Sequence, residues 1–130
     1  IPIRVLEIGE VNAAFEWVST TVKKTLTKDF TSQEADIEKL QKLMEEGKIQ
    51  ANQRTAWESI GLAFGTILEN EMEGMTWVSV IDGSREYAAL QFGDLLFDPA
   101  SLIWNKVKSK QSIDLKAEFA RIKEEVEKRL

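Results

Sequence analysis

A short acidic segment near the middle of the chain is the first candidate for a binding site. The segment, ENEMEG, places carboxylates at three alternate positions, Glu69, Glu71 and Glu73, at the expected end of an apolar helix. Acidic side chains there oppose the helix dipole, so they could mark a site for a cation or a partner. The alternative is a solvated helix end, because alternate acids without His do not make a metal loop. No metal site is expected.

Polar residues of the following β-hairpin extend this candidate site. Tyr and Arg are the residue types that most often anchor protein interfaces. We expect the outer face of the hairpin and the acidic segment to form one docking surface for a protein partner. Its residues are Glu71, Glu73, Arg85, Glu86, Tyr87 and Gln91.

A group of aromatic residues supports a different hypothesis, a pocket between the third helix, the hairpin and the fourth helix. Such a pocket could bind a small apolar or aromatic ligand. Its residues are Trp57, Trp77, Tyr87 and Trp104. The alternative is a densely packed interior without a cavity.

The residue types that are absent restrict the chemistry. The chain has no His and no Cys, so it lacks the usual general base near neutral pH, the thiolate nucleophile and the commonest zinc ligands. It also lacks a phosphate-binding loop and a Gly-x-Ser-x-Gly nucleophile elbow. We therefore expect a non-enzymatic protein with no catalytic residues and no cofactor, and a carboxylate-based enzyme is the third alternative.

The charge is unevenly distributed along the chain. The net charge is −5, and residues 1–50, 51–98 and 99–130 carry −2, −6 and +3. An acidic centre argues against nucleic acid as the main partner and is compatible with a basic protein partner. The simpler explanation of the uneven charge is that the basic residues of the tail form the solvated face of a helix.

The chain shows no sign of membrane insertion, because no apolar run approaches the roughly 20 residues that span a bilayer. We expect a soluble protein and favour the cytoplasm. The chain starts at Ile1 without Met, so export after removal of a signal peptide is also compatible with the sequence. The sequence gives no indication of the oligomeric state.

Apolar residues spaced three and four apart predict three helices in the first part of the chain. These helices cover residues 12–26, 31–46 and 52–71. Thr31 and Glu34 fit a capping box, and Gly47 is expected to end the second helix in a left-handed conformation. In the third helix, Gly61 and Gly65 predict a close approach of another backbone or of the hairpin, since each weakens the helix itself.

The segment from Met75 to Phe97 alternates with a period of two, which is typical of strands. Gly83 and Gly93 lie at the expected tight turns, so the segment is predicted to form a three-strand meander. Because Val78 and Val80 alternate with other apolar residues, both faces are expected to be covered. Asp98-Pro99 and Asp114 are then typical starts of two C-terminal helices.

Together these patterns predict a single α+β domain over residues 1–130. Its N-terminal part, residues 1–50, is helical. The rest, residues 51–130, contributes a long central helix, the antiparallel meander and two C-terminal helices.

The order of these parts resembles DUF3806, a family of bacterial domains of unknown function. The similar segments are WESIGLAFGTILEN, MTWVSVID and FDPASLIWNKV, within residues 57–130. The resemblance implies an α+β fold and a bacterial source, and it implies no catalytic residues.

The most consistent role is a small acidic interaction module of the immunity or adaptor type, which binds a basic protein. Binding of a small apolar or aromatic ligand is the main alternative.

Overall fold

A computed structural model describes all residues 1–130 as five helices and one antiparallel sheet, which confirms the predicted α+β class. The helices are α1 (Val5–Leu26), α2 (Ile37–Glu46), α3 (Arg54–Glu71), α4 (Pro99–Lys108) and α5 (Leu115–Glu127), and a 3-10 turn, Glu34–Asp36, precedes α2. The strands are β1 (Thr76–Asp82), β2 (Arg85–Phe92) and β3 (Leu95–Phe97). No helix has the length and apolar composition that crossing a bilayer requires.

The sheet is the meander that the alternation predicts, with the strand order β1-β2-β3. Val78 lies opposite Ala89, and Leu90 lies opposite Phe97. Gly83 and Gly93 have φ angles of 63° and 57° at the two turns, a conformation that glycine adopts without steric cost.

Both faces of the sheet carry buried residues. Ser79 and Leu90 are fully buried on one face, while Ala89 is 1% exposed on the other. The first of these faces contacts α1, because Ala88 packs with Val11 of that helix. The hairpin is therefore mainly a structural part of the core.

The N-terminal residues 1–4 form an arm along the outer edge of β1. Pro2 forms an isolated antiparallel bridge with Val78. The Ser79 N–H donates to the Ile1 carbonyl at 3.1 Å, and the Arg4 N–H donates to Ser79 Oγ at 2.8 Å. The arm thus extends the sheet by a short stretch on the side opposite β3.

The two glycines of α3 allow the close approach that their positions predict. A Cβ atom at Gly61 would overlap the Pro99 carbonyl oxygen and lie 2.8 Å from the Cα of Ala100. A Cβ atom at Gly65 would lie 2.6 Å from the ring of Trp77. Gly61 therefore allows the start of α4 to pack closely against α3, and Gly65 leaves space for the indole ring of Trp77 in β1.

The C-terminal helices start as predicted. Asp98 accepts a hydrogen bond from the Ser101 N–H at 3.1 Å, with Pro99 as the first helical residue. Asp114 accepts one from the Ala117 N–H, also at 3.1 Å. Each carboxylate satisfies an N–H group that has no partner within the helix.

One predicted helix start is wrong and another is close. Helix α1 starts at Val5 instead of Asn12, because its first inward-facing residue is the carboxylate Glu7 and the apolar pattern does not include it. Helix α3 starts at Arg54, within two residues of its predicted start near Asn52, and the bond from the Trp57 N–H to the Gln53 carbonyl marks this end.

The predicted N-terminal cap of the second helix is wrong, whereas Gly47 is its C-cap as predicted but not in the expected conformation. The capping carboxylate is that of Asp36 and not that of Glu34. It accepts hydrogen bonds from the N–H groups of Thr31 and Gln33 at 2.9 and 3.1 Å. Gly47 stays right-handed with φ −75°. The left-handed residue is its neighbour Lys48, with φ 57°.

One hydrophobic core joins the helices to the sheet. Helix α3 lies at its centre, with Phe64, Ile67 and Leu68 fully buried. Leu40 of α2 and Leu115 of α5 belong to the same core. Because α3 is buried from Ile60 to Leu68 except at the half-buried Thr66, most of its accessible polar residues lie towards its two ends.

Candidate functional site

The acidic segment lies at the end of α3, as predicted. We call Glu69, Glu71 and Glu73 the acidic margin; all three are exposed. Glu69 accepts a hydrogen bond from Trp77 Nε1 at 3.1 Å, and none of the three forms an ion pair. The local fold fixes their position, because Met72 turns inward and Gly74, with φ 92°, leads the chain into β1.

The remaining residues of the expected docking surface divide between the two faces of β2. Arg85, Tyr87 and Gln91 lie on one face, and Glu86 lies on the other, because side chains alternate along a strand. Gln91 lies opposite Thr76, close to the acidic margin. Arg85 lies at the far end of the strand, about 20 Å from Gln91. The structure therefore does not bring all six residues together.

Arg85 and Glu86 already have partners within the chain. The Arg85 guanidinium lies 3.9 Å from the centre of the Tyr87 ring and donates to Asp98 at 2.8 Å and to Ser101 at 3.1 Å. Glu86 pairs with Arg4 at 3.2 Å. These contacts link the hairpin to the start of α4 and to the N-terminal arm.

The four aromatic residues of the expected pocket have separate contacts, and Trp77 and Tyr87 line different cavities. Trp57 is buried and donates to the Gln50 carbonyl at 2.9 Å. Trp104 is half-buried and lies 5.5 Å from the Arg54 guanidinium. Trp77 packs against Gly65, and Tyr87 packs against Arg85.

A cavity does lie elsewhere in the structure, between α1 and the first half of α3. This α1–α3 groove has a volume of about 660 Å³. Its lining residues are Glu10, Ala13, Ala14, Trp17, Gln53, Thr55, Ala56, Glu58, Ser59 and Leu62. A smaller cavity of about 180 Å³ shares Glu10, Glu58 and Leu62 with it. The shared residues make the two cavities neighbours at the same end of the groove.

Carboxylates from three elements converge at that end of the groove. Packing around Glu10, followed by the nearby carboxylates of Glu7, Glu58 and Glu86, raises the pKa of Glu10 above its usual value of 4.5. Glu10 itself has no basic partner, whereas Glu58 pairs with Arg54 at 3.4 Å. The electrostatic potential at Glu10 is therefore negative, and it would stabilise a cation bound there.

The sequence patterns did not single out Glu10, Glu58 or Trp17. Two signals could have indicated them: Trp17 lies beside the apolar stripe of its helix, and Glu10 has no basic residue one turn later. The small residues Ala13 and Ala14 leave the space that the groove occupies. No group of three carboxylates is positioned to hold a metal ion.

Comparison with known proteins shows one family and one related structure. The model of the family described as a domain of unknown function, DUF3806, matches residues 36–119. No curated protein matches the chain. A crystal structure of a protein from Bacteroides thetaiotaomicron VPI-5482 is similar, with 40% identity and a TM-score of 0.89. The match covers 92% of this chain and 45% of that chain.

The chain thus spans slightly less than half the length of this related structure. The family match includes α2, which lies before the segments whose resemblance was visible in the sequence. It covers the helix with the two glycines, the meander and the start of α5. The chain belongs to the DUF3806 family of domains of unknown function.

Proposed function

We propose that this chain is a non-enzymatic, acidic interaction module of the immunity or adaptor type, which binds a basic protein partner. One observation carries the proposal: the acidic margin has no internal counter-charge. Residues 51–98 contain only two basic side chains, Arg54 and Arg85, and these pair with Glu58 and Asp98. The negative field of the margin therefore remains available to attract a cationic partner.

The position of the acidic margin suits a protein partner. Glu71 and Glu73 are exposed beside the start of β1, and Gln91 is exposed opposite Thr76. The Arg85–Tyr87 pair lies about 20 Å along β2, which is within the span of an interface that buries roughly 800 Å² per partner. A single partner could contact both ends of the sheet.

Affinity capture from an extract of the source organism tests this function. We expect the immobilised chain to retain a basic protein that elutes as the salt concentration rises, because salt screens exposed charges. Replacement of Glu71 and Glu73 by Gln should reduce retention of that protein. The matched control replaces Glu38 and Glu127, which are also exposed and unpaired and lie outside the central segment.

The control variant should retain the partner as the unchanged chain does. Equal loss in the two variants would show that only the total charge matters and would contradict the role of the margin. Retention of no basic protein, or of a protein that salt does not release, would overturn the proposed function.

A further inference from the structure

The α1–α3 groove has the size of a small-molecule site. Its volume of about 660 Å³ lies within the range of roughly 300–1,000 Å³ that is usual for such sites. The wall from α1 is formed by Ala13, Ala14 and Trp17, and Leu62 contributes an apolar side chain from α3. Leu62 is 8% exposed and Ala14 is 3% exposed, so the floor of the groove joins the protein interior.

An aromatic wall lies next to this floor. Trp17 is 37% exposed, which makes it the most accessible of the large aromatic side chains. The face of an indole ring attracts both apolar groups and cations. The groove therefore offers a surface on which a flat or aliphatic body can pack.

The polar end of the groove selects the charge of a ligand. Glu10 and Glu58 both line it, and only Glu58 has a basic partner, Arg54. The two other carboxylates that act on Glu10 are Glu7, which is buried, and Glu86, which pairs with Arg4. An ammonium group near Glu10 would compensate the unpaired charge of this carboxylate, and an anion would be repelled.

From this geometry we propose that the α1–α3 groove binds a small organic cation, with its ammonium or guanidinium group at Glu10 and its apolar body against Trp17 and Leu62. This site is separate from the acidic margin and goes beyond the proposed protein-binding function. The recognition is electrostatic at one end and hydrophobic along the wall. A ligand must therefore carry both features to bind well.

Three probes of one shape test the charge requirement: 2-phenylethylamine, 2-phenylethanol and phenylacetate. The readout is the NMR signal of the Trp17 indole N–H, assigned by its disappearance in Trp17→Phe. We expect 2-phenylethylamine to shift this signal in a saturable way with a dissociation constant of about 1 mM or lower. The neutral alcohol should bind more weakly, and the anion should not bind.

Matched charge variants test the position of the cation. Glu10→Gln should weaken binding of 2-phenylethylamine about two- to fivefold, as expected for a solvent-accessible charge pair. Glu16→Gln removes the same charge from the same helix outside the groove, and it should leave the affinity unchanged. A thermal melt of each variant confirms that it is folded.

Any of the following results would overturn the proposal: equal binding of the amine and the alcohol, equal effects of Glu10→Gln and Glu16→Gln, or an unchanged Trp17 signal. Binding of the amine with a shift of another indole signal would place the site elsewhere and would also overturn it. None of these results depends on the capture of a protein partner, so the two functions can fail separately.

Discussion

Ser79 Oγ donates a hydrogen bond of 2.5 Å to the carboxylate of Glu7, and this bond joins β1 to the first turns of α1 across 72 positions of sequence. Both residues are almost completely buried, at 0% and 1% exposure. The same hydroxyl accepts a bond from the Arg4 N–H. Ser79 therefore connects the sheet, the helix and the N-terminal arm.

Ser79→Ala should lower the free energy of unfolding by about 1–3 kcal/mol, because it leaves a buried carboxylate and a backbone N–H without this partner. Urea unfolding at neutral pH measures the change. Ser112→Ala is the control, since Ser112 is exposed and its hydroxyl forms no hydrogen bond within the chain. Equal stability of the two variants would contradict the structural role of Ser79.

Gly61→Ala should destabilise the fold by about 1–3 kcal/mol, because the added methyl group overlaps the backbone of α4. Gly9→Ala provides the matched control in α1, where a Cβ atom meets nothing within 4 Å. It should stabilise the fold by up to about 1 kcal/mol through helix propensity. The shift in melting temperature should thus have opposite signs in the two variants, and the same sign would contradict the packing of α3 on α4.

Asp36→Ala should lower the free energy of unfolding by about 1–3 kcal/mol, since its carboxylate is the shared acceptor of two backbone N–H groups. Burial alone would raise the pKa of Asp36, but the hydrogen bonds from Lys39, Gln33 and Thr31 lower it below its usual value of 3.8. The contribution of the Asp36 carboxylate to the free energy of unfolding is therefore fully present at pH values above 3.8.

The contribution of Asp36 should disappear as the pH falls below 3.8 and through the lower pKa of the folded state. Asp36→Asn isolates this effect. The difference in free energy of unfolding between this variant and the unchanged chain should shrink over that pH range. Asp82→Asn, at an exposed carboxylate without an ion pair, is the control. A difference that stays constant down to low pH would contradict the role of the ionised carboxylate.

Glu10→Gln should raise the free energy of unfolding at neutral pH, because it removes the partial desolvation of this carboxylate and its repulsion by nearby carboxylates. Solvent screens the exposed Glu10, so the gain should not exceed about 0.2–0.5 kcal/mol. The pKa of Glu10 is raised in the folded state, so the ionised form is the one that the fold disfavours. The advantage of the variant should therefore decrease as the pH falls through this raised pKa and be lost below 4.5. Stability curves against pH for Glu10→Gln and Glu16→Gln check this, and parallel curves would contradict it.

The sequence predicted the elements whose apolar periodicity is strong. The pattern around Phe64 indicated the long central helix, and the glycines at 83 and 93 indicated the two turns of the meander. Asp98 and Asp114 indicated helix starts because their side chains act locally, within three residues. Such features follow from local chemistry and need no knowledge of the tertiary structure.

The two main errors have different causes. The start of α1 has a tertiary cause, because Glu7 faces inward, where it is stabilised by Ser79 from a distant strand. The role of Asp36 has a local cause, because its partners Thr31, Gln33 and Lys39 lie within five residues of it. The Thr31–Glu34 spacing fits a competing capping box, and the sequence alone does not decide which of the two local patterns forms.

One of the two candidate sites could be predicted from the sequence, and the other could not. The acidic margin was visible as a run of carboxylates, and the structure adds only that it has no counter-charge. The α1–α3 groove was not visible, because Glu10 and Glu58 lie on different helices and meet only after folding. A pocket built from two elements requires the fold before its residues can be grouped.

The N-terminal arm has a consequence for how this molecule behaves in concentrated solution. An exposed sheet edge presents free N–H and C=O groups to other chains, and such edges promote aggregation. Here the bridge between Pro2 and Val78 covers part of the β1 edge, and a proline cannot donate a hydrogen bond to a further strand. Deletion of residues 1–4 would leave the middle of β1 open to pairing with another copy of the chain.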